Sequence, residues 1–173
     1  MAETNKKTVL VVDDEEDVRK YLSMALSEAG FNVIIACDGF EAIDQVKKHS
    51  PDLISLDLVM PKRSGIKFYR DLAKNKQWAK IPVIIVTGHA RDDLGKSDLK
   101  ELTMSGPGIY LEKPVKPDNY IAAIKNLLGM DTTKEEKEIA EQVELQNKLK
   151  NMIDDADPTT LKKFKELFNK KDT

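Results

Sequence analysis

The stretch from Asp52 to Gly65, DLISLDLVMPKRSG, carries four mostly apolar residues, Leu53-Ile54-Ser55-Leu56, into a carboxylate, Asp57. A run of that length suits a buried strand. A buried parallel strand delivers its last residue to the carboxyl edge of the sheet, where open α/β sheets bind ligands. The same kind of ending recurs along the chain: TVLVV (Thr8 to Val12) stops at Asp13-Asp14, IPVIIV (Ile81 to Val86) at Thr87-Gly88, and Ile109-Tyr110-Leu111 just before Lys113-Pro114. Three carboxylates on one rim repel one another. A hard divalent cation with oxygen ligands resolves that conflict, and Mg²⁺ keeps waters and accepts phosphate oxygens as well. A lysine ammonium beside them offers a compact positive charge to a phosphoryl oxygen. Carboxylate, metal and lysine together make a site for phosphoryl transfer onto the carboxylate. Taken singly, each residue has a plainer role. Asp57 could cap a helix or a turn, Asp13-Asp14 could cap the next helix, and Lys113 could be a solvated loop lysine.

The elements that must position these residues alternate. After the first strand, Glu15 to Ala29 places Val18, Tyr21, Leu22, Ala25, Leu26 and Ala29 at helical spacing, with Gly30 as a stop. Phe31 to Ala36 reads as a strand and Phe40 to His49 as a helix ended by Pro51. Ile66 to Lys74 follows the Asp57 strand as a helix, and Asp92 to Met104 is a weaker, more polar one. Pro117 to Leu128 is the fifth helix, with proline suited to its first turn. Five strands alternating with five helices imply βαβ units, parallel pairing and a sheet covered on both faces. The uninterrupted β-branched runs fit strands buried on both sides.

With 173 residues, 40% hydrophobic and 34% charged, the chain accommodates one full domain and an appendage. A net charge of -2 advertises neither a nucleic-acid nor a membrane surface. No apolar run reaches membrane-spanning length, and MAETNKKTVL lacks the apolar core of a signal peptide. The single cysteine, Cys37, has no internal disulfide partner and is expected to be a small packing residue in a cytoplasmic protein.

Val11-Val12-Asp13-Asp14, Asp57-Leu58-Val59-Met60-Pro61 with Gly65, Thr87-Gly88, and Tyr110-Leu111-Glu112-Lys113-Pro114 together resemble the signature set of response-regulator receiver domains, over about residues 7 to 129. The resemblance implies a flavodoxin-like, doubly wound α/β fold with a five-stranded parallel sheet in the order 2-1-3-4-5. It implies that Asp57 accepts a phosphoryl group from a sensor histidine kinase or phosphotransfer protein. Asp14 and Asp57 would then bind Mg²⁺ directly, Asp13 would help through water, and the Val59 carbonyl would be a further ligand. Lys113 would contact the phosphoryl group, Thr87 would swing to hydrogen-bond it, and Tyr110 would turn inward into the vacated space. The chain would not be an enzyme beyond self-catalysed phosphotransfer and autodephosphorylation. A downstream protein or a second copy would meet the face made by the fourth helix, fifth strand and fifth helix, or the C-terminal helices.

Some positions depart from that pattern. Gly88 stands where alanine is usual, the segment between Thr87 and Tyr110 is long and charged, and Ser105-Gly106-Pro107-Gly108 precedes the fifth strand. Val59 and His89 flank the line of water attack in such domains. An apolar Val59 offers that water no hydrogen bond, which points to slow self-hydrolysis, while His89 reads as a solvated loop residue. An aspartate-nucleophile phosphatase of the haloacid-dehalogenase kind needs a second acid two residues past the nucleophile, where this chain has Val59.

The domain is expected to span 1–129 and a helical extension 130–173. Thr132 with Glu135 suggests a capping box. Ile139, Val143, Leu145, Leu149, Met152 and Ile153 then form one imperfect apolar stripe. Asp157-Pro158 restarts a second helix carrying Leu161, Phe164, Leu167 and Phe168. Two short amphipathic helices cannot bury their own stripes, so they must dock on the receiver, a second copy or a partner. An output element governed by Asp57, a constitutive dimer contact and a DNA-binding tail are the readings available. From Asp131 onward there are eleven acidic and nine basic residues, which argues against nucleic acid.

Overall fold

Five parallel strands form the sheet of this computed structural model: β1 (Thr8–Val12), β2 (Asn32–Ala36), β3 (Leu53–Leu56), β4 (Val83–Thr87) and β5 (Ile109–Glu112), in the order β2-β1-β3-β4-β5. The structure describes residues 5–60, 64–88, 109–155 and 157–169. Helices α1 (Glu16–Glu28), α2 (Gly39–His49), α3 (Gly65–Lys74) and α4 (Pro117–Leu127) cover the sheet, with a 3₁₀ turn over Trp78–Lys80. Two further helices, α5 (Lys134–Asp155) and α6 (Pro158–Asn169), complete the chain. The helix expected over Asp92 to Met104, together with His89 and the Ser105–Gly108 segment, lies outside the described residues.

Because strand side chains alternate in direction, the sheet divides its core in two. Val9, Val11, Leu53, Ile84 and Val86 face α1 and α4, where Leu22, Leu26, Tyr120 and Ile124 meet them. Leu10, Val12, Ile54, Leu56 and Ile85 face α2 and α3, where Ala42, Val46, Phe68 and Leu72 meet them. Both faces are dry, which accounts for the continuous apolar runs.

Local chemistry sets the ends of the elements. Helix α1 stops before Gly30, whose φ of +91° is the left-handed conformation of a C-terminal stop. Asp38 caps α2 by accepting from the N–H groups of Phe40 and Glu41. β4 begins at Val83 rather than Ile81, because the Ile81 N–H is already given to the Trp78 carbonyl (3.0 Å) and Pro82 has no N–H to give. It also runs one residue further than expected, since Thr87 pairs with Glu112.

The extension corrects several expectations. The capping box is formed by Thr133 and Glu136, one residue later than Thr132 and Glu135. The Glu136 N–H donates to Thr133 Oγ1 (3.1 Å), and the Thr133 N–H donates to Glu136 Oε2 (2.9 Å). Two adjacent threonines with acids at matching spacing make the sequence degenerate there. The turn after α4 fixes the choice, with Gly129 at φ +62° and the Met130 N–H bound to the Lys125 carbonyl (3.0 Å). Helix α5 is 22 residues long, not short. Its expected single stripe splits: Val143 is buried and Ile139 packs against the core, whereas Leu145, Leu149 and Met152 are exposed. Ala140 is buried beside Val143. The start of α6 follows expectation, with Asp157 Oδ1 accepting from the Thr160 N–H (2.8 Å). Cys37, expected as a packing residue, is exposed.

Candidate functional site

Strand register alone gathers the chemistry-bearing residues at one rim. Val12 pairs with Leu56, so the residues that follow them, Asp13 and Asp57, emerge side by side. The Asp57 N–H donates to the Val12 carbonyl (2.9 Å), and the Asp13 N–H to the Ala36 carbonyl (3.2 Å). On the other flank the Lys113 N–H donates to the Thr87 carbonyl (3.0 Å), which carries the ladder one step past Glu112. The Lys113-Pro114 peptide bond is cis.

The side chains converge. Lys113 Nζ lies 2.7 Å from Asp13 Oδ2, 3.1 Å from Glu15 Oε1 and 3.3 Å from Asp57 Oδ2. Thr87 Oγ1 donates to Asp57 Oδ1 at 2.9 Å. One carboxylate oxygen from each of Asp13, Asp14 and Asp57 lies within 4.8 Å of the other two. Asp13, Asp57 and Thr87 retain 1%, 4% and 5% of their exposure, whereas Asp14 faces solvent. Asp13 Oδ1 also accepts from the Glu15 N–H (2.9 Å), and the Asp13 carbonyl accepts from Arg19 Nη1 (2.7 Å). These bonds lock the acidic loop onto the start of α1.

Burial governs the protonation behaviour of the rim. It raises the Asp57 carboxyl above the ordinary aspartate range, against the opposing pull of Lys113, and the neighbouring charge of Asp13 adds to the rise. Burial also raises Asp13, against its hydrogen bond from Lys113. For Lys113, burial pulls downward, but the hydrogen bond to Asp13 and the charges of Asp57 and Asp13 outweigh it and hold the ammonium above the usual lysine range. An oxygen-only donor set that is crowded, with Asp13 and Asp57 desolvated and Asp14 open to solvent, suits a hard cation. The cluster could therefore hold a metal through Asp13, Asp14 and Asp57.

The β3–α3 connection is shaped by contact between backbones. The Gly65 N–H donates to the Leu58 carbonyl (3.1 Å). A Cβ at Gly65 would collide with the Asp57 carbonyl oxygen and lie 2.7 Å from Leu58 Cα. Only glycine lets α3 start this close to the phosphoacceptor candidate. Val59 lies at the rim through its backbone, its N–H donating to Asp57 Oδ1 (3.2 Å), while the residue as a whole is 39% exposed.

Asp13, Asp14, Asp57, Thr87 and Lys113 come together at one rim, with the Thr87 hydroxyl in hydrogen-bond contact with Asp57. Tyr110 stands apart from them. Its ring packs with the core on the α2–α3 face, and its hydroxyl is buried with no hydrogen-bond partner among the described residues. Burial, with the neighbouring Tyr69, pushes that phenol up to about 12. Sequence reasoning missed Glu15, taken as part of a helix, and Arg19. The signal for Glu15 was adjacency to Asp13-Asp14, and for Arg19 its place one helical turn past Glu15. It also missed Asn147, whose carboxamide bonds the Tyr110 main chain and which a sequence pattern marks only as a polar residue on α5.

The response regulator receiver domain family model matches residues 9–125, and the chain belongs to that family. The polar-differentiation response regulator DivK of Brucella ovis is 32% identical over 123 residues, covering 71% of this chain and 97% of DivK. Hybrid signal transduction histidine kinase D of Dictyostelium discoideum is 32% identical over 131 residues, which is 76% of this chain but 8% of that kinase. Among solved structures, chemotaxis protein CheY4 of Vibrio cholerae superposes with a TM-score of 0.62 at 26% identity, covering 70% of this chain and 98% of CheY4. A putative response regulator from Chloroflexus aurantiacus gives a TM-score of 0.64 at 27% identity, covering 72% of this chain and 99% of that one. The protein is therefore a receiver domain of two-component signalling with added C-terminal helices. No helix among its described residues is long and apolar enough to cross a membrane.

Proposed function

We propose that the chain is a response regulator whose Asp57 takes a phosphoryl group from the phosphohistidine of a sensor kinase or phosphotransfer protein. The observation that carries this reading is a buried strand-end carboxylate held between an ammonium at 3.3 Å and a hydroxyl at 2.9 Å. An Asp57 oxygen forms the new P–O bond as the P–N bond of the donor breaks, and the departing imidazole takes up a proton from solvent. Asp13, Asp14, Asp57 and the Val59 carbonyl would hold Mg²⁺, which supplies positive charge to the phosphoryl oxygens. Lys113, already charge-paired with both buried acids, turns its ammonium to the transferred group. Thr87 keeps its hydroxyl directed at the oxygens on Asp57, and Tyr110 responds from β5. The receiver unit would span 1–129 and the extension 130–173. Its partners are the phosphodonor protein and, downstream, a protein target or second copy meeting the β5–α4 flank or the C-terminal helices. Its chemistry is limited to self-catalysed transfer to Asp57 and loss of that phosphate. An exposed lone thiol and no membrane-crossing helix among the described residues fit a cytoplasmic setting.

A phosphatase with an aspartate nucleophile lacks support, because Val59 occupies the position of its acid. A DNA-binding role lacks support in an extension with more acids than bases. The test is intact mass after incubation with Mg²⁺ and acetyl phosphate. Wild type should gain one phosphoryl group and Asp57→Asn none. Absence of the gain, or its persistence in Asp57→Asn, rejects the assignment.

A further inference from the structure

The last strand of a sheet leaves main-chain groups open to solvent or to another chain. On β5 that opening is closed by a side chain of the extension. The Tyr110 N–H donates to Asn147 Oδ1 at 2.6 Å, and Asn147 Nδ2 donates to the Tyr110 carbonyl at 3.0 Å. The second Nδ2 hydrogen goes to the Val143 carbonyl one turn back, at 2.9 Å. The carboxamide thus imitates a neighbouring strand at one residue while anchored to its own helix. Both of its hydrogens are used, and a flipped amide would face donor with donor. Buried Val143 and the Lys150–Glu112 pair (3.4 Å) seat α5 on either side of this contact.

Tyr110 lies close, through main chain, to Thr87 and Lys113, whose side chains touch Asp57. Thr87 pairs with Glu112, two residues beyond Tyr110, and Lys113 is the next residue along. A phosphoryl group on Asp57 draws on the Thr87 hydroxyl and the Lys113 ammonium together. Displacement of the end of β5 lengthens the two Asn147 bonds, which weaken steeply with distance and angle.

We propose that α5 is an intramolecular clasp whose hold on β5 through Asn147 loosens when Asp57 is phosphorylated. This rests on the reading of Asp57 as phosphoacceptor. The test is hydrogen exchange of the full chain with Mg²⁺, with and without acetyl phosphate, with loading read by intact mass on the same samples. In wild type, exchange across residues 134–150 and at Tyr110 should quicken on loading, on the order of tenfold. Asn147→Ala should show that faster exchange without phosphodonor and change little on loading. Leu145→Ala, on the exposed face of the same helix, should behave as wild type. Loading of Asp57 with α5 still protected overturns the clasp alone. So does equal loosening by Leu145→Ala, which would assign the effect to the helix rather than the carboxamide. Failure of Asp57 to load overturns the phosphoacceptor reading and the clasp with it.

Discussion

In the notch at the rim of the sheet, Asp13 and Asp57 are nearly sealed from water, and burial raises both carboxyls. Where α5 lies on α4, Glu136 remains partly wet. There the hydrogen bond from Lys125 at 2.6 Å, with the Thr133 N–H, holds its carboxyl below the ordinary range. Both regions pair acids with a lysine. In the first, desolvation exceeds the attraction and the charged form is held against a cost. In the second, attraction exceeds desolvation and the charged form adds to stability. Charge in the notch is thus held at a cost to the fold, and charge in the seam helps to hold the fold together.

The largest expected break in this contrast is Lys113→Ala. It leaves Asp13 and Asp57 without their shared cation, and phosphoryl uptake from acetyl phosphate should fall by about 10²-fold or more, read by timed intact mass. Circular dichroism with Mg²⁺ present would separate this from misfolding. Next comes Gly65→Ala, which forces the start of α3 away from the Asp57–Leu58 backbone. Thermal unfolding should show a loss of about 2 kcal/mol, and uptake should slow as Asp57 is displaced.

Asp13→Asn sharpens the comparison by sign. The folded carboxyl of Asp13 is raised, so its contribution to stability is fully present below the unfolded value and is lost as pH rises through the folded one. The variant should therefore be more stable than wild type at pH 7 without Mg²⁺, by about 1 kcal/mol, and equal to it near pH 3. Added Mg²⁺ should stabilise wild type more than the variant. Denaturant midpoints across pH would check both statements. Equal stability at every pH would remove the thermodynamic argument for the notch. Glu136→Ala should show the opposite trend at a smaller size. Its depressed carboxyl contributes stability above the unfolded value, lost as pH falls through the folded one. A loss of roughly 0.5 kcal/mol at pH 7 should vanish in acid.

The notch was legible because strand ends are punctuated in sequence. An apolar run that stops at an acid, a hydroxyl or a lysine names both the element and the residue it delivers, and parallel register does the rest. Glu15 was harder to see, since an acid at a helix start has an ordinary reason to be there. The extension was read less well for a physical reason. Helical periodicity reports that a face is apolar, not which partner it meets. Leu145, Leu149 and Met152 therefore looked equivalent to Val143. Beside Val143, α5 is seated by a small residue, Ala140, and a polar one, Asn147, and neither stands out in an apolar stripe.

The turn at Gly129 leaves only residues 128–133 between α4 and α5. A tether that short keeps a detached helix close to its seat, at an effective concentration on the order of millimolar. Re-docking is then rapid and independent of how much of the protein a cell contains. Anything that would bind the flank that α5 covers would compete with that local concentration, which disfavours weak contacts there.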